Sequence, residues 1–285
     1  MRFRSFSPIA AAAAIVTSTG LVTIIPAGAA DLPAPPKVVY DPAPPVAIGG
    51  GWYLRGDIGV TQQQFRKLTH AELDLLPHTW IDKGHFKPAA VIGVGAGYQF
   101  NSWFRADVTG EYRTKSTLRA VDSFPDPALG GAQNTNYFTV DKEEWVGLVN
   151  GYLDMGTWGG LTPYVGAGLG FATIRVSNFR DYNVGSDFTA TAPTGTRTNF
   201  AWALHAGFGY QFSDRWMMDV SYRYLNMGDG RTGGPPRAAG AANTTTQPWV
   251  LENIHSHDVR IGMRWLLDAP ARTAYHPPAP SVVKH

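Results

Sequence analysis

The chain has 285 residues, of which 16% are charged and 12% aromatic, with 32 glycines, 21 prolines and a formal net charge of +2. That balance lacks the basic stripe of a nucleic-acid-binding protein, and the absence of cysteine removes disulfides, thiolate metal sites and thiol nucleophiles together. A mean hydropathy of −0.16 excludes a bundle of apolar membrane helices.

The first 30 residues read as a secretory signal. Arg2 and Arg4 supply the charged start, Ile9 to Ile25 the apolar run, and Ala27-Gly28-Ala29 or Gly28-Ala29-Ala30 the small-x-small pattern before cleavage after Ala29 or Ala30. The run is too short and too interrupted for the roughly 20 apolar residues of a membrane helix. Residues 31–48 are proline-rich and are expected to be an extended or disordered periplasmic spacer; residues 268–285 form a second Pro-rich tail, expected to be disordered.

Between them, 49–267 carries eight strand candidates at about 51–66, 88–100, 103–115, 143–155, 161–176, 198–212, 215–228 and 254–267. The period is 2, so successive side chains point to opposite faces. One hairpin occurs twice: Gly97-Tyr98-Gln99-Phe100 before Trp103 and Asp107 matches Gly209-Tyr210-Gln211-Phe212 before Trp216 and Asp219. Short connections (101–102, 156–160, 213–214) alternate with long ones (67–87, 116–142, 177–197, 229–253). Short turns at one end and long loops at the other mark an all-β, eight-stranded antiparallel up-and-down transmembrane β-barrel with long extracellular loops. About 12 residues at ~3.3 Å rise and ~40° tilt span about 30 Å, which matches the apolar band of such barrels.

One parity of these strands is charged: Arg55 and Asp57; Arg105, Asp107, Glu111 and Arg113; Asp219 and Arg223; Asp258, Arg260 and Arg264. The other is apolar, as in Leu54, Ile58 and Val60 or Val259, Ile261 and Met263. An arginine facing lipid at mid-membrane would cost ~2–4 kcal/mol, so the charged set is expected in the lumen as an ion-paired network. Glycines at 93, 95, 97, 166, 168, 170, 207 and 209 share the inward parity and leave room for the long side chains. The fourth strand gives no parity: Trp145, Gly147, Val149 and Gly151 oppose Glu144, Val146, Leu148 and Asn150. Trp52, Tyr98, Trp103, Tyr152, Tyr164, Trp202, Tyr210, Trp216 and Trp265 lie near strand ends and suit an aromatic girdle at the membrane interfaces.

No residues are assigned to catalysis, a cofactor or a metal. His255-Ser256-His257 suggests a lipid hydrolase, but Ser256 has the opposite parity from both histidines and cannot simply meet them. His70, His78 and His85 in the first long loop read as solvated residues rather than zinc ligands.

The stretch Gly50-Gly51-Trp52-Tyr53-Leu54-Arg55-Gly56-Asp57-Ile58-Gly59, the repeated hairpin and the final strand His257 to Trp265 resemble the alphaproteobacterial small outer-membrane β-barrel proteins, an OmpA-like, porin-family surface group. The resemblance covers about 49–267. It implies an integral outer-membrane location, contact with outer-membrane lipid and lipopolysaccharide, insertion by the barrel-assembly machinery, and no single activity. It leaves a structural and surface-interaction role with a narrow lumen, a small-solute porin, or a lipid A deacylase-like enzyme. Family members usually stop at the final aromatic residue, whereas here Trp265 is followed by twenty more residues.

Overall fold

The computed structural model describes residues 50–126, 129–238 and 245–267; the expected signal at 1–30, spacer at 31–48 and tail at 268–285 lie outside the described residues. The strands are β1 (Gly51–Gln64), β2 (Lys67–Thr69), β3 (Thr79–Phe86), β4 (Ala89–Gln99), β5 (Phe104–Asp126), β6 (Ala132–Asp154), β7 (Leu161–Asn183), β8 (Phe188–Ala192), β9 (Gly195–Gln211), β10 (Trp216–Arg231), β11 (Arg237–Ala238) and β12 (Val250–Leu266), with one 3-10 turn at Leu73–Leu75. Eight of them, β1, β4, β5, β6, β7, β9, β10 and β12, pair antiparallel with their neighbours, and β12 returns to pair with β1 from Tyr53↔Leu266 to Gln64↔His255. The ring closes, so no stave keeps an unpaired edge.

The repeated hairpin has a local cause. In one copy the Asn101 side-chain oxygen accepts hydrogen bonds from the backbone N–H of Trp103 (3.0 Å) and Phe104 (2.7 Å). In the other, Ser213 Oγ accepts from the backbone N–H of Arg215 (3.3 Å) and Trp216 (3.1 Å). Asn and Ser at these positions fold the chain back on itself through side chain–backbone bonds.

The staves outrun the sequence expectation. β5, β6 and β7 each hold 23 residues, roughly 55–60 Å of axial reach at ~40° tilt. The stretches 116–142 and 177–197 are therefore largely paired strand, not loop, whereas 229–253 is strand only at 229–231, 237–238 and 250–253 among the described residues. β3 pairs with the upper part of β5, β8 with β7, β11 with β8, and β2 with the top of β12.

Strand ends were misplaced because the alternation breaks at β-bulges. The register shifts between Arg113 and Ser116 in β5, and inward parity passes from odd to even residues. In β7, Asn178 (φ 52°) separates inward Val176 from inward Phe179; in β12, Asn253 (φ 50°) separates Leu251 from Ile254; in β10, the shift sits at Gly228 (φ 74°). A bulge inserts one residue and turns the following side chains to the other face. Below the bulges apolar residues face out and charges face in. Above them Leu118, Ala120, Phe138, Val140, Phe179, Trp249 and Leu251 face in, while Arg119 and Arg180 face solvent.

Fully paired backbone resists proteases, so surface cleavage of intact cells is expected at the connection after β5, where Gly130 and Gly131 have φ of 65° and 88°, rather than across 116–142. Mass spectrometry of the released peptides checks this.

Candidate functional site

The interior below the bulges is a charged network. Arg55 contacts Asp57 at 2.7 Å and Asp107 at 2.8 Å. Arg223 donates to Glu111 (2.7 Å) and Asp258 (2.7 Å), and Arg264 donates to Asp219 (2.6 Å). Arg260 lies 3.2 Å from Asp57 and 3.6 Å from Glu111. Arg113 pairs with Asp258 and also donates to Thr61 (2.7 Å) and Ser256 (2.9 Å). Arg105 bonds Asp154 at 3.1 Å and lies between the rings of Tyr152 (4.0 Å) and Tyr164 (4.4 Å). These arginines are all buried.

Three strong participants, Glu144, Asn150 and Asp154, come from strand-four residues that sequence parity could not place, and a fourth, Lys142, from the stretch expected to be loop. Glu144, Val146, Leu148, Asn150 and Tyr152 face inward, while Trp145 and Val149 face outward. Lys142 pairs with Glu144, Asn150 donates to Asp107 at 2.8 Å, and Asp154 holds Arg105. The shared even parity of Lys142, Glu144 and Asp154 was the readable signal; two glycines on the lipid face and two aliphatics inside obscured it. Buried in this interior are Arg55, Arg105, Arg113, Lys142, Arg223, Arg260 and Arg264 against Asp57, Asp107, Glu111, Glu144, Asp154, Asp219 and Asp258. The two sets balance seven to seven.

The glycine-lined walls make space for this network. A Cβ on Gly97 would stand 2.3 Å from the Tyr53 ring, on Gly168 2.1 Å from Asn150, and on Gly209 2.7 Å from Arg264. Above the ions, the cluster of Leu118, Phe138, Phe179, Trp249 and Ile254 fills the ring.

Outside, Trp52, Trp103, Tyr210, Trp216 and Trp265 are exposed near the short turns, with Tyr98 partly exposed; Trp216 and Trp265 stack at 5.9 Å. Trp202 packs on Tyr224 at the opposite end of the apolar belt, together with Tyr112–Trp145 and Tyr222. Tyr164 is a correction: it is 3% exposed and points inward beside Arg105, as does Tyr152. Their even residue numbers in β6 and β7 follow the inward parity, so strand position, not aromatic character, decides. Ser256 is buried in the ring, whereas His255 and His257 project outward and His257 Nδ1 lies 2.6 Å from the Tyr222 hydroxyl.

A cleft of about 250 Å³ opens among the extracellular extensions, above the aromatic belt. Trp80, Phe138 and Trp249 wall it, and Asp122 of β5 and Asp181 of β7 share it with Asn136 and Asn183. Burial, with Asp122 nearby, pushes the Asp181 carboxyl up to about 7; burial also raises Asp122. His70, buried with its ring 5.0 Å from that of Trp249, accepts at Nδ1 from the backbone N–H of Glu72 and Leu73, and burial lowers its pKa. Among the described residues no three His, Asp or Glu side chains converge as a metal site.

Two outcomes follow. Arg223→Met takes one arginine from Glu111 and from Asp258 and leaves the buried layer one positive charge short, and removing one partner of a buried pair costs ~3–5 kcal/mol; the heat-modified gel shift should occur at clearly lower temperature, whereas Arg119→Met on the outer wall should leave it unchanged. A carboxyl whose folded pKa is raised contributes stability at low pH that is lost as pH rises from about 4 toward 7. Proteolysis of the extracellular extensions should therefore be faster at pH 8 than at pH 5.5, and Asp181→Asn should flatten that difference.

Comparison with known proteins agrees with this architecture. Residues 25–250 match the model of the outer membrane protein beta-barrel domain. An uncharacterized protein of Brucella melitensis is 28% identical over 86% of this chain and 95% of its own length. Outer membrane protein PagN of Salmonella typhimurium is 32% identical over 48% of this chain and 56% of its own, and a Rickettsia bellii protein named as a candidate adhesin is 25% identical over 75% and 87%. Among solved structures, OprG of Pseudomonas aeruginosa aligns at TM-score 0.41 with 13% identity, covering 78% of this chain and 97% of OprG. A closed eight-stave ring, greasy outside and ionic within, matched by that domain model over most of its length, makes this chain a member of the outer membrane β-barrel domain family, resident in the bacterial outer membrane.

Proposed function

We propose that this barrel is a non-enzymatic surface-interaction protein whose elongated extracellular staves form a binding platform and whose lumen passes little. One observation carries the reading: seven buried cations and seven buried anions fill the ring, and an apolar cluster lies above them. A charge-balanced, side-chain-filled interior offers neither the water column nor the unbalanced field by which a wide pore conducts and selects. The extensions have the reach and the water-facing Arg and Lys side chains of a contact surface. The adhesin and outer-membrane names of the Rickettsia and Salmonella relatives favour the same role here. Insertion by the barrel-assembly machinery and a collar of lipopolysaccharide belong to this reading.

A lipid-hydrolysing role is disfavoured by Ser256, whose hydroxyl is engaged by Arg113 inside the ring, away from both histidines. The experiment is twofold. Purified protein in planar bilayers should give at most small, infrequent conductance steps; large steady steps would return the porin. Cells displaying the barrel should adhere to matrix-coated surfaces more than cells lacking it; equal adherence would remove the contact role.

A further inference from the structure

The cleft above the membrane contains carboxyl groups that the molecule itself leaves incomplete. Asp122 is 6% exposed, and its Oδ1 has no hydrogen-bond partner; Oδ1 of Asp181 likewise has none. Asp74 also lines the cleft, but it already contacts Lys67 at 3.3 Å. The extensions are rich in arginine and lysine, yet neither residue type lines the cleft: Arg119 and Arg180, next in sequence to the inward positions of β5 and β7, face water. His78, on the segment leading into β3, also lines the cleft. A buried carboxylate without a counter-charge is costly, and an ion supplied from outside removes that cost.

The walls specify what kind of ion. Trp80, Phe138 and Trp249 line the cleft, and aromatic rings attract ammonium and guanidinium groups within about 6 Å. Leu73 and Leu76 add an apolar side. Trp249 is 4% exposed and its indole N–H is also without a partner, so an acceptor next to the cationic head would find a donor. A volume of about 250 Å³ falls below the ~300–1,000 Å³ of drug-sized sites and holds a group of side-chain size. A bare divalent metal fits less well, because the described residues bring no third carboxylate or imidazole ligand into range.

We propose that this cleft is a binding site for a small organic cation, a primary amine or guanidine on a short apolar stem, held by Asp122 and Asp181 between aromatic walls. The same chemistry is offered by a free amine and by an arginine or lysine side chain of a partner protein. The site goes beyond the contact role above: it would bind its cation whether or not the barrel adheres.

Full-length protein in detergent micelles is titrated with butylguanidinium while the fluorescence of the cleft tryptophans and the heat of binding are followed. The neutral isostere butylurea is the control, and a blocked tripeptide with a central arginine is the second arm. Butylguanidinium should bind saturably and butylurea at least tenfold more weakly. Asp122→Asn and Asp181→Asn should each weaken binding at least tenfold while the heat-modified gel shift stays normal. Tighter binding of the tripeptide than of butylguanidinium assigns the site to a protein side chain; the reverse assigns it to a free amine. Affinity should fall as pH is lowered from 8 to 5.5, as Asp181 takes up a proton, and should do so in His78→Gln as well; Asp74, Asp122 and His78 are the other ionisable side chains lining the cleft. No saturable binding at millimolar butylguanidinium, equal binding of butylurea, unchanged binding in the double Asn variant, or binding of calcium in its place would overturn the proposal.

Discussion

Hydrocarbon on the outer wall is the constraint from which this structure follows. Nothing in the bilayer core can hydrogen-bond a backbone N–H or C=O, at several kcal/mol for each one stranded. The sheet must therefore close, and β12 meets β1 in a continuous twelve-residue register. The same constraint sorts side chains: charge goes inside, and the inside is only as wide as eight strands allow. Arg55, Arg105, Arg223 and Arg264 can then be accommodated only if their carboxylate partners come with them and the facing wall is stripped to glycine, as at Gly97, Gly168 and Gly209.

The constraint holds over only part of the height. The three longest staves leave the bilayer and enter water, where the rule reverses and apolar groups belong inside. β6 meets the change by altering residue types alone, its even positions facing in from Asn134 to Asp154. On β5, β7, β10 and β12 bulges at Ser116, Asn178, Gly228 and Asn253 also change which parity faces in. The extension above is built like a soluble barrel, with Phe138, Phe179 and Trp249 at its centre. A buried ion pair is weak evidence for stability by itself; here the ionic layer serves because any alternative would place arginine in lipid or leave a water-filled bore.

Fold alone assigns no activity to such a barrel. What differs from one barrel to another is the architecture carried above the membrane, and in this chain that architecture encloses a cleft. Asp122 and Asp181 meet there because β5 and β7 flank β6, and because each strand has passed its bulge before reaching them. Neither residue stood out in the linear chain.

The sequence by itself determined the number of staves, their direction, the compartment and the inward direction of the eleven charged residues named from it, because a period-2 pattern repeated in eight segments with alternating loop lengths has few other solutions. It could not place the fourth strand, whose lipid face carries glycine and whose inner face carries valine and leucine; only neighbours on both sides, β5 and β7, decide that Glu144 and Asn150 look inward. It put Tyr164 in the girdle because an aromatic near a strand end fits there, whereas the register opposite Asp154 turns the ring into the barrel. It ended strands at 115, 176 and 228 because a bulge erases the alternation on which strand reading depends. The cleft was invisible for the same reason: its walls come from five separate segments, and proximity between segments is a property of closure that no local pattern encodes.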